Sequence, residues 1–91
     1  MKSYKVKYHK NAIKFIKKHK TFGLKFYKAF DELQDYTQYK GKYDIRKIRG
    51  NKKNNLFRLR IGDYRAIFEI EENEINIIYV LYIDSRGDVY K

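Results

Sequence analysis

The chain has 91 residues, which is enough for one domain with a single hydrophobic core, so we expect residues 1–91 to fold as one unit. It contains no cysteine, which excludes a disulfide framework and a thiolate zinc site. Its formal net charge of +11 favours a polyanionic partner, either nucleic acid or an anionic membrane, although a lysine-rich surface can also be merely solvated.

The first ten residues, MKSYKVKYHK, place charges where a secretory signal would need an apolar run. No stretch of the sequence approaches the ~18 consecutive apolar residues of a membrane-spanning helix. We therefore expect a cytoplasmic protein without a membrane partner.

Charge is distributed unevenly along the chain. Residues 1–55 carry 17 Lys and Arg against 4 Asp and Glu, whereas residues 56–91 carry 5 against 7. We expect the lysine-rich part to supply a long-range field that steers the protein toward RNA. The few arginines of the second part, which lie among acidic residues, are the better candidates for a localised site.

The chain is predicted to begin with a strand and a helix. Residues 3–8 alternate between the two faces of a half-buried strand. Over residues 9–20 the apolar positions recur at helical spacing, with lysines on the opposite face. Asn11 is the candidate N-cap of this helix.

Gly23 is expected to end the first helix, because glycine is a common helix terminator. A second helix is predicted over residues 24–36, with four apolar side chains roughly on one side: Leu24, Tyr27, Phe30 and Leu33. The two helices would form a hairpin.

The remaining elements are predicted to be strands, over residues 45–48, 56–61, 64–70 and 75–83. A basic, polar loop precedes the second of these strands, and Gly62 with Asp63 marks a tight turn after it. Since strands and helices are segregated along the chain, the predicted fold class is α+β. We expect an N-terminal strand, a helical hairpin and then a twisted antiparallel sheet of three to four strands.

The segment LFRLRIGDYRAIFEI, residues 56–70, is the most informative part of the sequence. Because side chains alternate along a strand, Arg58 and Arg60 share the face opposite the apolar residues. The turn then brings Arg65 close to Arg60, so three guanidinium groups converge on one sheet face, where they could bind phosphate. The alternative is a solvated outer face on which each arginine pairs with a nearby carboxylate: Asp63, Glu69 or Glu71.

The order of strand, helical hairpin, DIRKIRG, FRLRIGDYRAIFEI and IDSRGDVYK resembles the RelE/ParE superfamily of type II toxin–antitoxin toxins over essentially the whole chain. The resemblance implies a toxin held inactive by a cognate antitoxin, through which alone it would reach operator DNA. Toxins of the RelE branch are mRNA interferases that cut mRNA on the ribosome, whereas the ParE branch targets DNA gyrase. We favour the RelE branch, with a gyrase inhibitor and a non-catalytic nucleic-acid-binding module as the alternatives.

The resemblance also implies a set of catalytic residues: Arg58, Arg60, Arg65, Arg86 and Tyr90. Without a metal or another cofactor, the 2′-hydroxyl of RNA would attack the adjacent phosphate. Arg65 and Arg86 would hold that phosphate, and Tyr90 would stack on a base or assist proton transfer. Relatives often carry lysine where Arg58 and Arg60 stand, and because arginine is a poor base, the general base stays open.

Several other residues have a functional and a structural interpretation. Four basic residues near the loop before the arginine strand would track the RNA backbone, or would simply be solvated: Lys47, Arg49, Lys52 and Lys53. Five tyrosines are expected to pack rather than to bind bases: Tyr4, Tyr27, Tyr64, Tyr79 and Tyr82. His9 and His19 are expected to lie at the ends of the first helix, far from the arginines. The antitoxin would bind in a groove or by adding a strand to the sheet.

Overall fold

The structure is a computed structural model that describes residues 3–50 and 55–85. Its strands are β1 (Lys5–Tyr8), β2 (Asp44–Lys47), β3 (Leu56–Ile61), β4 (Tyr64–Glu72) and β5 (Asn76–Ser85). Its main helices are α1 (Lys10–Lys18) and α2 (Lys20–Glu32), and a series of short helical turns, which includes α3 (Tyr36–Tyr39), leads from α2 to β2. No helix of the described residues is both long and apolar enough to cross a membrane.

The strands form one five-stranded sheet in the order β1-β5-β4-β3-β2. The four later strands are antiparallel, as predicted, and β1 joins them as a fifth strand that pairs in parallel with β5. The predicted α+β class is therefore confirmed. The β1–β5 pair places the first strand of the chain beside the last one, with Val6 opposite Ile78.

The hydrophobic core lies between one face of the sheet and the helical hairpin. Phe26 and Phe30 of α2 are fully buried, as are Leu59, Phe68 and Val80 of the sheet. The rings of Phe30 and Phe68 meet edge to face, with their centroids 5.3 Å apart. Because both helices cover the same sheet face, no helix of the described residues covers the opposite face, which carries the arginines and which we call the open face.

The helical hairpin corrects two predictions about where the helices begin and end. The N-cap of α1 is His9 rather than Asn11, since Nδ1 of His9 accepts a hydrogen bond from the backbone N–H of Asn11 (3.1 Å). The break between the helices comes at His19, and Gly23 lies inside α2. Gly23 is buried against Ile16, where it allows the two helix backbones to approach closely.

The packed face of α2 also differs from the prediction. Leu24 and Tyr27 are 53% and 52% exposed, so the prediction is wrong for these two, whereas Phe30 and Leu33 of the same predicted side are fully buried. The other buried positions of α2 include Phe26 and Ala29, which the predicted side did not contain. The helix ends at Glu32 rather than at residue 36.

Candidate functional site

The β3–β4 hairpin positions the three arginines. Leu59 is fully buried, so Arg58 and Arg60 on either side of it project to the open face, and Arg60 lies directly opposite Arg65 in the strand register. The turn depends on Gly62, whose φ of 60° is a left-handed conformation that favours glycine. We call Arg58, Arg60 and Arg65 the arginine face.

Carboxylates from the neighbouring strands contact the arginine face. Asp44 of β2 accepts hydrogen bonds from Nε of Arg60 (3.1 Å) and Nη2 of Arg58 (3.4 Å). Asp84 of β5 accepts a hydrogen bond from Nε of Arg65 (3.1 Å). The predicted partners, Asp63, Glu69 and Glu71, belong to the β3–β4 hairpin and its end, but in the described residues the flanking strands supply these carboxylates.

The two carboxylates hold the guanidinium groups in place. The side chains of Arg58 and Arg65 are only 17% and 12% exposed, whereas that of Arg60 is 40% exposed. Within the described residues, Nη1 of Arg58 is buried and has no hydrogen-bond partner. An unsatisfied buried donor is costly, so Arg58 contributes less to stability than a fully paired guanidinium group would.

The same contacts decide the protonation state of Asp44. Partial burial raises the pKa of its carboxyl, but the charges of Arg58 and Arg60 and the hydrogen bond from Arg58 outweigh this effect. The pKa of Asp44 therefore lies below its ordinary value. Asp44 is ionised at neutral pH and is a weak base there, so its role is to fix the arginines.

An aromatic side chain lies on the same open face. Tyr82 of β5 pairs in register with Ile67, two positions from the pair of Arg65 and Asp84. Its side chain was expected to pack, but the residue is 40% exposed. Tyr27 is also half-exposed, although its ring stacks on that of Tyr8, with the ring centres 6.0 Å apart. An exposed ring beside cationic groups can stack on a nucleic-acid base.

A match to a protein-family model shows the family to which the chain belongs. The model of the ParE toxin of the type II toxin–antitoxin system, parDE, matches residues 6–90. The chain belongs to the ParE toxin family. It is thus a toxin of a type II toxin–antitoxin system within the RelE/ParE superfamily, as its sequence motifs indicate.

Solved structures place the toxin's fold with the RelE proteins. The RelE–RelB complex from Pyrococcus horikoshii OT3 contains a chain that is 29% identical, with a TM-score of 0.76; the match covers 94% of the toxin and 98% of that chain. In the RelB–RelE antitoxin–toxin complex from Methanococcus jannaschii the corresponding values are 24%, 0.71, 92% and 94%, which shows likeness of fold. No curated protein sequence matches the toxin.

The other predicted site residues of the toxin do not all converge. Lys47 lies opposite Phe57, and its Nζ is 6.0 Å from the centre of that ring, so it projects to the sheet face opposite the arginines. Arg49 is exposed just after β2. Four predicted residues lie outside the described residues: Lys52, Lys53, Arg86 and Tyr90.

The histidines and the remaining tyrosines are structural, as predicted. His9 caps α1, and the ring of His19 stacks on that of Phe15 at 4.4 Å. Tyr4 is buried, and Tyr64 packs against the rings of Phe15 and Phe22. Tyr79 is half-buried in β5.

Asp44, Asp84 and Tyr82 are the residues that sequence reasoning missed at this site. The signal for Asp84 was available, because Tyr82 and Asp84 share one face of β5 by simple alternation. Asp44 could not be found in this way, since its contact with Arg60 depends on how β2 pairs across a long loop.

We predict that Asp44 contributes to the pH dependence of the toxin's stability in the acidic range. Because the folded-state pKa of Asp44 is lowered, its ion pairs stabilise the fold above about pH 4 and are lost as the pH falls through the lowered pKa. Asp44→Asn should therefore flatten the pH dependence of the unfolding free energy between about pH 5 and 2, by no more than ~1 kcal/mol for a partly exposed pair.

Urea denaturation at several pH values measures this effect. Glu74→Gln, which removes an exposed carboxylate from the β4–β5 turn, is the control. It should leave the slope of unfolding free energy against pH nearly unchanged. Equal slopes for wild type and Asp44→Asn would show that the ion pairs contribute nothing to the pH dependence.

Proposed function

We propose that the toxin is an endoribonuclease, an mRNA interferase that inhibits translation by cutting mRNA without a metal. The observation that carries this proposal is the arginine face on an open sheet, with the exposed ring of Tyr82 beside it. A sheet face with fixed cations and an aromatic platform suits a single RNA strand, whose phosphates and bases can be bound together.

In the proposed reaction the 2′-hydroxyl attacks the adjacent phosphorus, and the 5′-oxygen of the next nucleotide leaves. Arg65 and Arg86 hold the scissile phosphate, and Arg58 and Arg60 stabilise the charge that develops on its oxygens. Tyr90 stacks on a base or assists proton transfer. Arginine stays protonated at neutral pH, so these roles are electrostatic, and the general base is assigned to none of the four arginines.

We propose that cleavage depends on the ribosome. The arginine face is already partly neutralised by Asp44 and Asp84, so an RNA strand must compete with these carboxylates for the guanidinium groups. A free, flexible strand would also lose conformational freedom on binding. A ribosome that holds the mRNA in one geometry would remove that cost and present the scissile phosphate correctly.

The proposal is tested by adding purified toxin to a translating extract and mapping mRNA ends by primer extension. Cuts that appear only in the presence of ribosomes are the expected result. A ParE-like gyrase inhibitor is the second candidate, and the family model that matches residues 6–90 favours it. Intact mRNA together with gyrase–DNA cleavage complexes would establish that function instead, and no effect in either assay would leave a non-catalytic nucleic-acid-binding module.

A cognate antitoxin is the proposed protein partner, because both similar structures are complexes of a RelE toxin with RelB. Operator DNA would be reached only through that antitoxin. The toxin offers two modes of attachment: β1 and β2 are edge strands that could accept a further strand, and a groove of about 390 Å³ lies between β1 and α2. Acidic segments of the antitoxin would complement the arginine face.

We predict that Tyr82 contributes to RNA binding through its ring rather than its hydroxyl. Tyr82→Ala should weaken binding of a short single-stranded RNA by roughly 5- to 100-fold, since base stacking on an aromatic side chain is worth ~1–3 kcal/mol. Tyr82→Phe keeps the ring and should bind like wild type. Fluorescence anisotropy measures both affinities, and an equal loss in the two variants would assign the effect to the hydroxyl.

A further inference from the structure

The helical hairpin presents a second cationic surface, separate from the arginine face. The chain has no Asp or Glu between residues 1 and 30, and the hairpin carries seven lysines, all exposed. We call this set the lysine surface: Lys10, Lys14, Lys17, Lys18, Lys20, Lys25 and Lys28.

Helical spacing places these lysines on the outer side of the hairpin. Lys10, Lys14 and Lys18 recur every four residues on α1, opposite the side on which Ala12 and Phe15 are buried. On α2, Lys20 and Lys28 lie two turns apart, opposite the buried stripe that includes Phe26. Since α1 and α2 cover the same sheet face, both rows face away from the sheet.

The lysine surface differs from the arginine face in its charge balance. Arg58, Arg60 and Arg65 each pair with Asp44 or Asp84. Among the described residues, by contrast, no carboxylate lies within 4 Å of any lysine of the hairpin. Lys25 instead lies above the ring of Phe22, with its Nζ 4.7 Å from the ring centre. Uncompensated like charges destabilise a fold, so such a surface is better explained by a polyanion than by internal pairing.

The centre of the lysine surface has a definite shape and chemistry. Lys20, Lys25 and Lys28 surround a shallow depression of about 480 Å³ that also contains Thr21 and the half-exposed Leu24. A depression receives a convex surface, and the sugar–phosphate backbone of an RNA duplex forms a convex ridge. The lysines around the depression can contact its phosphates, and the hydroxyl of Thr21 can hydrogen-bond to a 2′-hydroxyl.

We propose that the lysine surface binds the backbone of duplex RNA while the arginine face holds the substrate strand. The sheet separates the two surfaces, so both can be occupied at the same time. The proposal rests on the proposed function in taking RNA as the polyanion. It assigns affinity to the lysine surface and chemistry to the arginine face, which explains how a site with largely neutralised arginines can still engage its substrate.

The test measures binding of the full-length toxin to a 20-base-pair RNA duplex by fluorescence anisotropy over a series of salt concentrations. The triple variant Lys14→Gln, Lys17→Gln, Lys28→Gln should bind at least 10-fold more weakly at 100 mM salt. The slope of the logarithm of its binding constant against the logarithm of salt concentration should be smaller in magnitude by about 3, because three phosphate contacts are lost. The matched control neutralises three exposed lysines elsewhere, Lys5, Lys7 and Lys40, and should change the affinity less than 3-fold.

Equal losses in the two triple variants would overturn the proposal, because they would show a diffuse charge effect without a specific surface. Absence of duplex binding by wild type, or tighter binding to vesicles of phosphatidylserine and phosphatidylcholine than to the duplex, would also overturn it. Arg65→Gln separates this proposal from the proposed function. That variant should keep wild-type affinity for the duplex, and duplex binding by a wild-type toxin that leaves mRNA intact would refute only the nuclease assignment.

Discussion

Replacing Arg65 by glutamine is expected to reduce mRNA cleavage in a translating extract by at least ~100-fold, which is the usual loss when one preorganised donor to a developing anion is removed. Arg65 lies opposite Arg60 in the strand register, and Asp84 holds its guanidinium group. Its side chain is only 12% exposed, so its position is fixed before RNA binds. Primer extension of a reporter mRNA measures the loss.

Two further variants separate loss of chemistry from loss of folding. The double variant Arg65→Gln, Asp84→Asn removes both members of the ion pair, so no unpaired carboxylate is left behind, and it should be as inactive as the single variant. Lys5→Gln removes one exposed positive charge from the edge strand β1 and should cut mRNA at nearly the wild-type rate. Cleavage that survives Arg65→Gln in a folded protein would show that the site lies elsewhere.

Gly23→Ala is expected to destabilise the toxin by ~1–3 kcal/mol, although alanine is the better helix former by about 1 kcal/mol. A Cβ atom at position 23 would lie 2.7 Å from both Cα and the carbonyl oxygen of Ile16. Both are backbone atoms that cannot rotate away, so α1 and α2 would have to separate and the core between them would loosen. Chemical denaturation measures the change in unfolding free energy.

Gly41→Ala is the matched control for this substitution. A Cβ atom at position 41 meets nothing within 4 Å, and Gly41 lies in a helical turn between α3 and β2. The substitution should be neutral or stabilising by up to ~1 kcal/mol, because alanine restricts the unfolded chain. If Gly23→Ala were as stable as Gly41→Ala, the close approach of the two helices would not be a requirement of the fold.

Alternation and a tight turn are local signals, and they were enough to predict the arginine face. The shared sheet face of the Arg58 and Arg60 side chains follows from the two-residue period of a strand. The turn at Gly62 fixes the register that brings Arg65 opposite Arg60. The carboxylate of Asp44 was not predictable, because β2 and β3 are joined by a longer loop that does not fix their register. Tertiary pairing therefore decides how the site is neutralised.

The ends and the packed face of the two helices were also predicted incompletely, because they depend on tertiary contacts. Glycine often terminates helices, which is why Gly23 was predicted to end the first helix. In the structure glycine is required at this position because the backbone of Ile16 leaves no room for a Cβ atom, a contact that only the packed hairpin reveals. The predicted stripe took every third residue from Leu24, a spacing that drifts around a helix with 3.6 residues per turn, and this is why Leu24 and Tyr27 are exposed although Phe30 is buried. His9 was overlooked as a cap because the preferred N-cap residues are Ser, Thr, Asp and Asn.

The parallel pairing of β1 with β5 has a consequence for how the toxin comes into being. Because Val6 pairs with Ile78, the sheet cannot be completed until Ile78 has left the ribosome that makes it. Pairing between such distant residues raises the contact order and slows folding. During synthesis the lysine-rich helices emerge first and must wait for their sheet. The N-terminal strand of the toxin therefore gains its hydrogen-bonded neighbour only after β5 has been synthesised.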